Sequence, residues 1–91
     1  MRTVQPKCAE LLAEIIRDER RKKGIRQVEL ARQLRQKQNW ISRLEAAQRR
    51  IGVCEFLVLA DAIGFDPHPI IDRLLDEGMP AGVRRRLEAA E

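Results

Sequence analysis

Apolar residues recur along the chain at helical spacing, in blocks separated by short polar breaks. Cys8, Leu11, Leu12, Ile15 and Ile16 fall on one face of a segment opened by Pro6, with Glu10, Glu14, Arg17 and Asp18 off that face. Pro suits the first turn of a helix, where its missing N–H has no partner to lose. The run Arg20-Arg21-Lys22-Lys23 followed by Gly24 predicts the helix end. Cations favour the negative end of the dipole, and Gly takes the left-handed cap. The basic run thus has a structural role, and one or two of its members are also candidates for phosphate contact.

After a link at Ile25, the residues Leu30, Ala31, Leu34, Ile41 and Leu44 make two short stripes with a break at Arg35-Gln36-Lys37. Two short helices, starting near Gln27 and at Gln38, then meet across a tight turn. Ala31 supplies the small residue that closely crossing helices need. With Ile41 and Leu44 inward, Lys37, Gln38, Asn39, Ser42 and Arg43 face outward, and Trp40 lies at the edge. Gln and Asn pair with adenine and Arg with guanine in a major groove. Taken alone, the same face equally suits plain solvated surface.

Gly52 is a tolerable cap for a fourth helix with Val53, Phe56, Leu57, Ala60 and Ile63 as its expected buried stripe, closed by Gly64. Asp66 and Pro67 start a fifth, carrying Ile70, Ile71, Leu74 and Leu75. Gly78-Met79-Pro80 then breaks the chain. Beyond it Val83, Leu87 and Ala90 keep helical spacing around Arg84-Arg85-Arg86. The expected fold class is all-α: a compact bundle of about five helices over residues 1–77. Residues 78–91 form a tail or short helix that frays, packs on its own bundle, or pairs with a second copy.

Composition narrows the function. Ninety-one residues make one small domain, and 44% apolar with 35% charged residues describes a soluble, helix-rich one. No apolar run reaches the roughly 20 residues of a membrane span, and no signal-peptide-like region follows Met1. Cys8 and Cys54 lack metal-ligand spacing and read as small buried hydrophobes, so the expected compartment is the cytoplasm. His68 has no nucleophile or acid–base partner evident near it and reads as surface. Neither an enzyme nor a cofactor is expected. Charge is strongly divided: residues 1–50 hold 14 Lys/Arg against 6 Asp/Glu, a balance of +8, while residues 51–91 hold 4 against 8, a balance of −4. A basic half that carries the paired helices suits a polyanion.

The stretch Gly24, Gln27, Leu30-Ala31, Leu34, Ile41-Ser42 and Glu45 resembles the Cro/CI-repressor-type (XRE, lambda-repressor-like) helix-turn-helix family. The later run Q-R-R-I-G-V-C-E-F-L-V-L-A-D-A-I-G-F-D-P resembles a subgroup of small prokaryotic regulators. The resemblance implies a third helix inserted in the major groove. Position by position it implies base contacts from Lys37, Gln38, Asn39 and Arg43. Phosphate contacts fall to Gln27, Ser42, Arg49 and Arg50, while Glu45 is structural and holds the loop that follows it. Three positions depart from the pattern: Arg26 and Lys37 stand where Ser or Thr caps a helix, and Arg35 where Gly makes the turn. A lost cap costs about 1 kcal/mol and a left-handed non-Gly residue roughly 1–2 kcal/mol. Each departure places a cation toward DNA, which adds Arg26 and Arg35 to the phosphate set. Trp40 has three readings, edge packing before sugar stacking or a thymine-methyl contact.

The expected function is a sequence-specific double-stranded DNA-binding regulator, a repressor occupying a palindromic operator as a homodimer. The fifth helix and the tail are its candidate dimer surface. The alternative is a protein-interaction adaptor or antitoxin-type partner-binding protein using the same fold.

Overall fold

Pro6 opens α1 (Pro6–Lys22) in the computed structural model of the chain, which describes residues 5–90. The N-terminal stretch before Gln5 lies outside them. α1 stops where its glycine predicts: Gly24 has φ 70°, its N–H donates to the Arg21 carbonyl at 3.0 Å, and Ile25 N–H donates to the Arg20 carbonyl at 3.1 Å. There follow α2 (Gln27–Gln33), α3 (Gln38–Glu45), α4 (Val53–Ile63) and α5 (Pro67–Arg73), then a π-helical turn over Leu74–Gly78 and α6 (Val83–Ala89). The chain is all-helical, with no strand among the described residues. No helix of the described residues is long and apolar enough to cross a membrane.

Ile16, Leu30, Ile41, Leu44 and Leu59 are fully enclosed, one or two from each of α1 to α4. Each contributes about 1.5–3 kcal/mol relative to exposure. Ile15, Ala31, Phe56, Ile63 and Ile70 complete the cluster, and Trp40 packs against its edge. α2 and α3 pack on each other, and α1 lies across α3, α4 and the π turn. The helix-turn-helix unit is thereby clamped from behind by the longest helix.

Two stripes differ from their sequence patterns. On α4 the buried residues are Phe56, Leu59, Ala60 and Ile63. Val53 and Leu57 face solvent instead, at 76% and 47% exposure. Cys54, expected inside, is exposed as well. The helix is apolar nearly all round, so periodicity alone does not select a face. On α5 Ile70 is buried but Ile71 is exposed, and after Arg73 a wider π turn carries the half-buried Leu74 and Leu75. Asp66 caps α5 as expected, accepting the His68 N–H at 3.0 Å. It also lies 2.7 Å from His68 Nδ1, so the lone histidine does have a carboxylate partner, its own helix cap.

At α1, the π turn approaches so closely that a side chain larger than hydrogen would crowd the helix. A Cβ on buried Gly78 would lie 3.2 Å from Cys8 Cα and 3.3 Å from Cys8 Cβ and Sγ. Burial pushes the half-buried Cys8 thiol up, which keeps it protonated at neutral pH. Gly78→Ala is expected to lower stability by about 1–3 kcal/mol through overpacking against α1, read as a reduced urea midpoint with an unchanged slope. α6 rests on its own bundle through Arg84. That guanidinium donates to Asp76 Oδ1 at 2.6 Å, the Asp72 carbonyl at 2.9 Å and Glu88 Oε1 at 3.2 Å.

Candidate nucleic-acid interface

α3 has no side-chain cap at its start, since Lys37 occupies the N-cap and makes no capping hydrogen bond. Its position is held instead by a buried ion pair. Arg20, near the end of α1, donates from Nε to Glu45 Oε2 at 2.6 Å and from Nη2 to Glu45 Oε1 at 2.9 Å. Both side chains are almost fully enclosed, at 8% and 3% exposure. A third donor, Arg20 Nη1, reaches the Ile25 carbonyl at 2.8 Å. This bidentate arrangement satisfies both carboxylate oxygens and ties the end of α3 to α1 and to the link before α2.

From Glu45 the network runs outward. Gln27 Nε2 donates to Glu45 Oε1 at 3.0 Å, and Gln38 Nε2 donates weakly to Gln27 Oε1 at 3.4 Å. The first residue of α2, the first of α3 and the last of α3 therefore share one chain of hydrogen bonds. Glu45 is structural, but the bonds it accepts come from Arg20 and Gln27 rather than from the loop that follows it, and the sequence reading left Arg20 within the basic run. Arg20 follows Ile16 by four residues and so lies on the apolar face of α1. That spacing was the available signal.

The outer face of α3 presents Gln38, Asn39 and Arg43, all exposed, with Ser42 half-buried between them. Ser42 Oγ donates back to the Asn39 carbonyl at 3.2 Å, an intrahelical bond. Exposed Lys37 stands at the helix start beside them. The structure thus brings four of the base-contact candidates to one end and one face.

The phosphate candidates have partners of their own. Arg26, the N-cap of α2, is exposed, and its Nε donates to Glu29 Oε1 at 2.8 Å. The same Glu29 oxygen accepts the Arg26 N–H at 3.1 Å. This is the reciprocal half of a capping box, and it compensates for the missing Ser or Thr. α4 repeats the device: Glu55 Oε1 accepts the Gly52 N–H at 3.0 Å. Glu55 Oε2 meets Arg49 Nη2 at 3.3 Å, and the Arg49 guanidinium carbon lies 4.2 Å from the centroid of the Trp40 ring. Trp40 thus packs at the edge of the bundle, with Arg49 stacked on it. Arg49 is half-buried and fixed, while Arg50 is exposed.

These carboxylates carry a pH dependence. The Arg26 side chain, then its backbone N–H, hold Glu29 below its ordinary pKa. The Gly52 N–H, then Arg49, do the same for Glu55, and the His68 N–H, then its ring, for Asp66. Each group binds its proton less readily in the folded chain than in the unfolded one. Their stabilisation is therefore complete above the ordinary carboxylate range and is lost as pH falls through it toward the lower folded values. Thermal unfolding between about pH 7 and pH 3 is expected to show a melting temperature that declines on the acid side. Glu29→Gln with Glu55→Gln should flatten that decline.

Two turns hold residues other than glycine in left-handed backbone. Arg35 has φ 56° in the turn between α2 and α3, and Ala47 has φ 57° after α3. Both close helix ends: Gln36 N–H donates to the Ala31 carbonyl and Gln48 N–H to the Arg43 carbonyl, each at 2.8 Å. Arg35→Gly and Ala47→Gly are each expected to raise stability by about 1 kcal/mol. If Arg35 meets phosphate, as the resemblance implies, the two variants differ in DNA binding. Arg35→Gly removes an exposed cation and should weaken DNA binding with a shallower salt dependence, whereas Ala47→Gly should leave binding unchanged. Equal binding by both variants would remove Arg35 from the phosphate set.

Among the described residues no group of three or more His, Cys, Asp or Glu is placed to hold a metal ion. A family model described as a helix-turn-helix domain matches residues 11–70. No curated protein and no solved structure matches the chain.

Proposed function

The chain belongs to the helix-turn-helix domain family, and from that membership we propose that it is a sequence-specific DNA-binding regulator. The observation that carries this reading is the face of α3. Gln38, Asn39 and Arg43 stand exposed together on a helix whose last residue is anchored by the Arg20–Glu45–Gln27 network, with a weak link from Gln38 to Gln27 at its start. Side chains that read base edges discriminate best on a firmly held element, and the buried pair at Glu45 fixes the end of this one. Lys37 and Arg43 are assigned to bases with Gln38 and Asn39. Gln27, Arg26, Arg35, Ser42, Arg49 and Arg50 are assigned to phosphate and sugar. The exposed Arg26–Glu29 pair is worth little in water and is readily given up to a phosphate.

Regulation in this reading is repression by occupancy of a palindromic operator, with two copies on successive turns of the major groove about 34 Å apart. The protein measures 41 × 27 × 20 Å, so two copies side by side fit that spacing. Residues 1–77 form the DNA-binding unit and 78–91 an appended element. Selection of bound sequences from a random DNA pool tests the reading. A palindromic consensus is the expected result. Absence of any enrichment would favour the adaptor alternative.

A further inference from the structure

Arg49 is held in place before any ligand arrives. It lies in the loop between α3 and α4, with its guanidinium carbon over the Trp40 ring, 4.2 Å from the centroid. Trp40 in turn packs against the core cluster from the first turn of α3. Arg49 Nη1 and Nη2 reach the same oxygen, Glu55 Oε2, at 3.4 and 3.3 Å. These contacts are long for charge-assisted bonds, which ordinarily measure about 2.7–2.9 Å. Glu55 is bound more firmly through its other oxygen, Oε1, which accepts the Gly52 N–H at 3.0 Å and caps α4.

The chemistry of a stacked guanidinium leaves it a further use. It meets the ring with its face, while its N–H donors lie in the plane at its edge. The Arg49 side chain is 26% exposed, so part of it remains open to solvent. Stacking on Trp40 is therefore compatible with binding a second anion. The loose contact to Glu55 is the one that such an anion displaces, and Glu55 then stays where it is through the Gly52 N–H.

We propose that Trp40 and Glu55 are positioning residues for Arg49: Trp40 holds the guanidinium through its stack, and Glu55 occupies the donor edge until a DNA phosphate displaces it. The proposal rests on the DNA reading above, which assigns Arg49 to phosphate, and it adds two residues that reading does not use. Trp40 acts without touching DNA. A free arginine loses several rotatable bonds on meeting a phosphate, whereas a stacked one has lost them already on folding. Ordering one such side chain beforehand is worth about threefold to tenfold in affinity. Because the contact is to phosphate, the gain is the same for every sequence. Trp40 shares its helix with Gln38, Asn39 and Arg43, so the helix that faces the bases also carries the support of a phosphate contact.

DNA titration of the full chain on selected and scrambled duplexes tests this, together with the emission of Trp40, the only tryptophan. Trp40→Leu should lose about threefold to tenfold on both duplexes. Trp40→Phe should recover part of that loss, since Phe keeps a face for Arg49. In the Arg49→Ala background, Trp40→Leu should change affinity less than about twofold. A Trp40 that merely packs would disturb α3 and lose affinity in either background, and one that touches a base would lose more on the selected duplex. Glu55→Gln retains an oxygen for the Gly52 N–H and removes the competing charge. It should tighten binding about twofold to threefold, a gain that disappears in the Arg49→Ala background. Without DNA, Arg49→Ala should shift the Trp40 emission. Circular dichroism checks that each variant is folded, and Trp40→Phe with Glu55→Gln carries the comparison where Trp40→Leu is not. Equal loss by Trp40→Leu in both backgrounds, a loss confined to the selected duplex, no gain from Glu55→Gln, or an emission indifferent to Arg49→Ala would overturn the proposal and leave the DNA reading standing. Failure of the wild type to bind any duplex would overturn the DNA reading, and the exchange at Glu55 with it.

Discussion

Glu45→Ala is expected to lower the stability of the fold by about 3–5 kcal/mol, the largest effect of any single polar substitution in this protein. The carboxylate accepts two hydrogen bonds from Arg20 and one from Gln27. Its removal leaves a buried guanidinium that still donates to the Ile25 carbonyl but has lost its counter-charge. A domain of this size has only about 5–15 kcal/mol in total, so the variant should lose much of its resistance to urea. The pair itself, however, contributes less than its breakage suggests, because both charges were taken out of water to form it. The double variant Arg20→Met with Glu45→Leu is therefore expected to regain most of the lost stability. It should not regain DNA affinity, since Gln27 and the start of α3 lose their anchor. Denaturation and DNA titration of the two variants separate the structural effect from the positioning effect.

Arg43→Ala is expected to reduce affinity for the selected sequence by about 1–3 kcal/mol, roughly tenfold to a hundredfold, with little change for unrelated DNA. Arg43 is exposed in the last turn of α3 with Gln38 and Asn39 on the same face. Loss of a base contact removes discrimination and leaves the phosphate attraction intact. Arg50→Ala should behave in the opposite way. Affinity should fall for all sequences alike, and the slope of log affinity against log salt should become shallower by about 1 per protomer. For wild type the four phosphate-directed arginines predict a slope near −3.6 per protomer, at about −0.9 for each neutralised phosphate. Titrations at several salt concentrations, on selected and scrambled duplexes, measure both quantities together. If Arg43→Ala weakened both duplexes equally, Arg43 would belong to the phosphate set.

Most helix boundaries were legible before the structure. Pro6, Gly24, Gly64, Asp66 and Pro67 punctuate the chain through local backbone preferences, which need no tertiary partner to act. The inward residues of α2 and α3 were legible too, because Leu30, Ala31, Ile41 and Leu44 alternate with polar neighbours that leave a single burial solution. α4 lacked that alternation. Nine of its eleven residues are apolar or Cys, so Leu59 and Leu57 could exchange roles without changing the pattern. The site divides in the same manner. The outward set on α3 follows from helical spacing once Ile41 and Leu44 face inward. The Trp40–Arg49–Glu55 arrangement joins α3, a loop and α4, and no local rule places them together.

The sequence by itself determined the helical class, the two-helix unit from Gln27 to Glu45 and the polar face it presents, since these follow from periodicity and capping over a few residues. Tertiary structure alone decided that Arg20, one cation in a run of four, is buried on Glu45 25 positions away. It also decided that α4 leaves Val53, Leu57 and Val58 in solvent. Both outcomes depend on which elements pack against which. A bidentate ion pair forms only when burial brings its partners together, and an apolar residue is enclosed only where a neighbouring helix covers it.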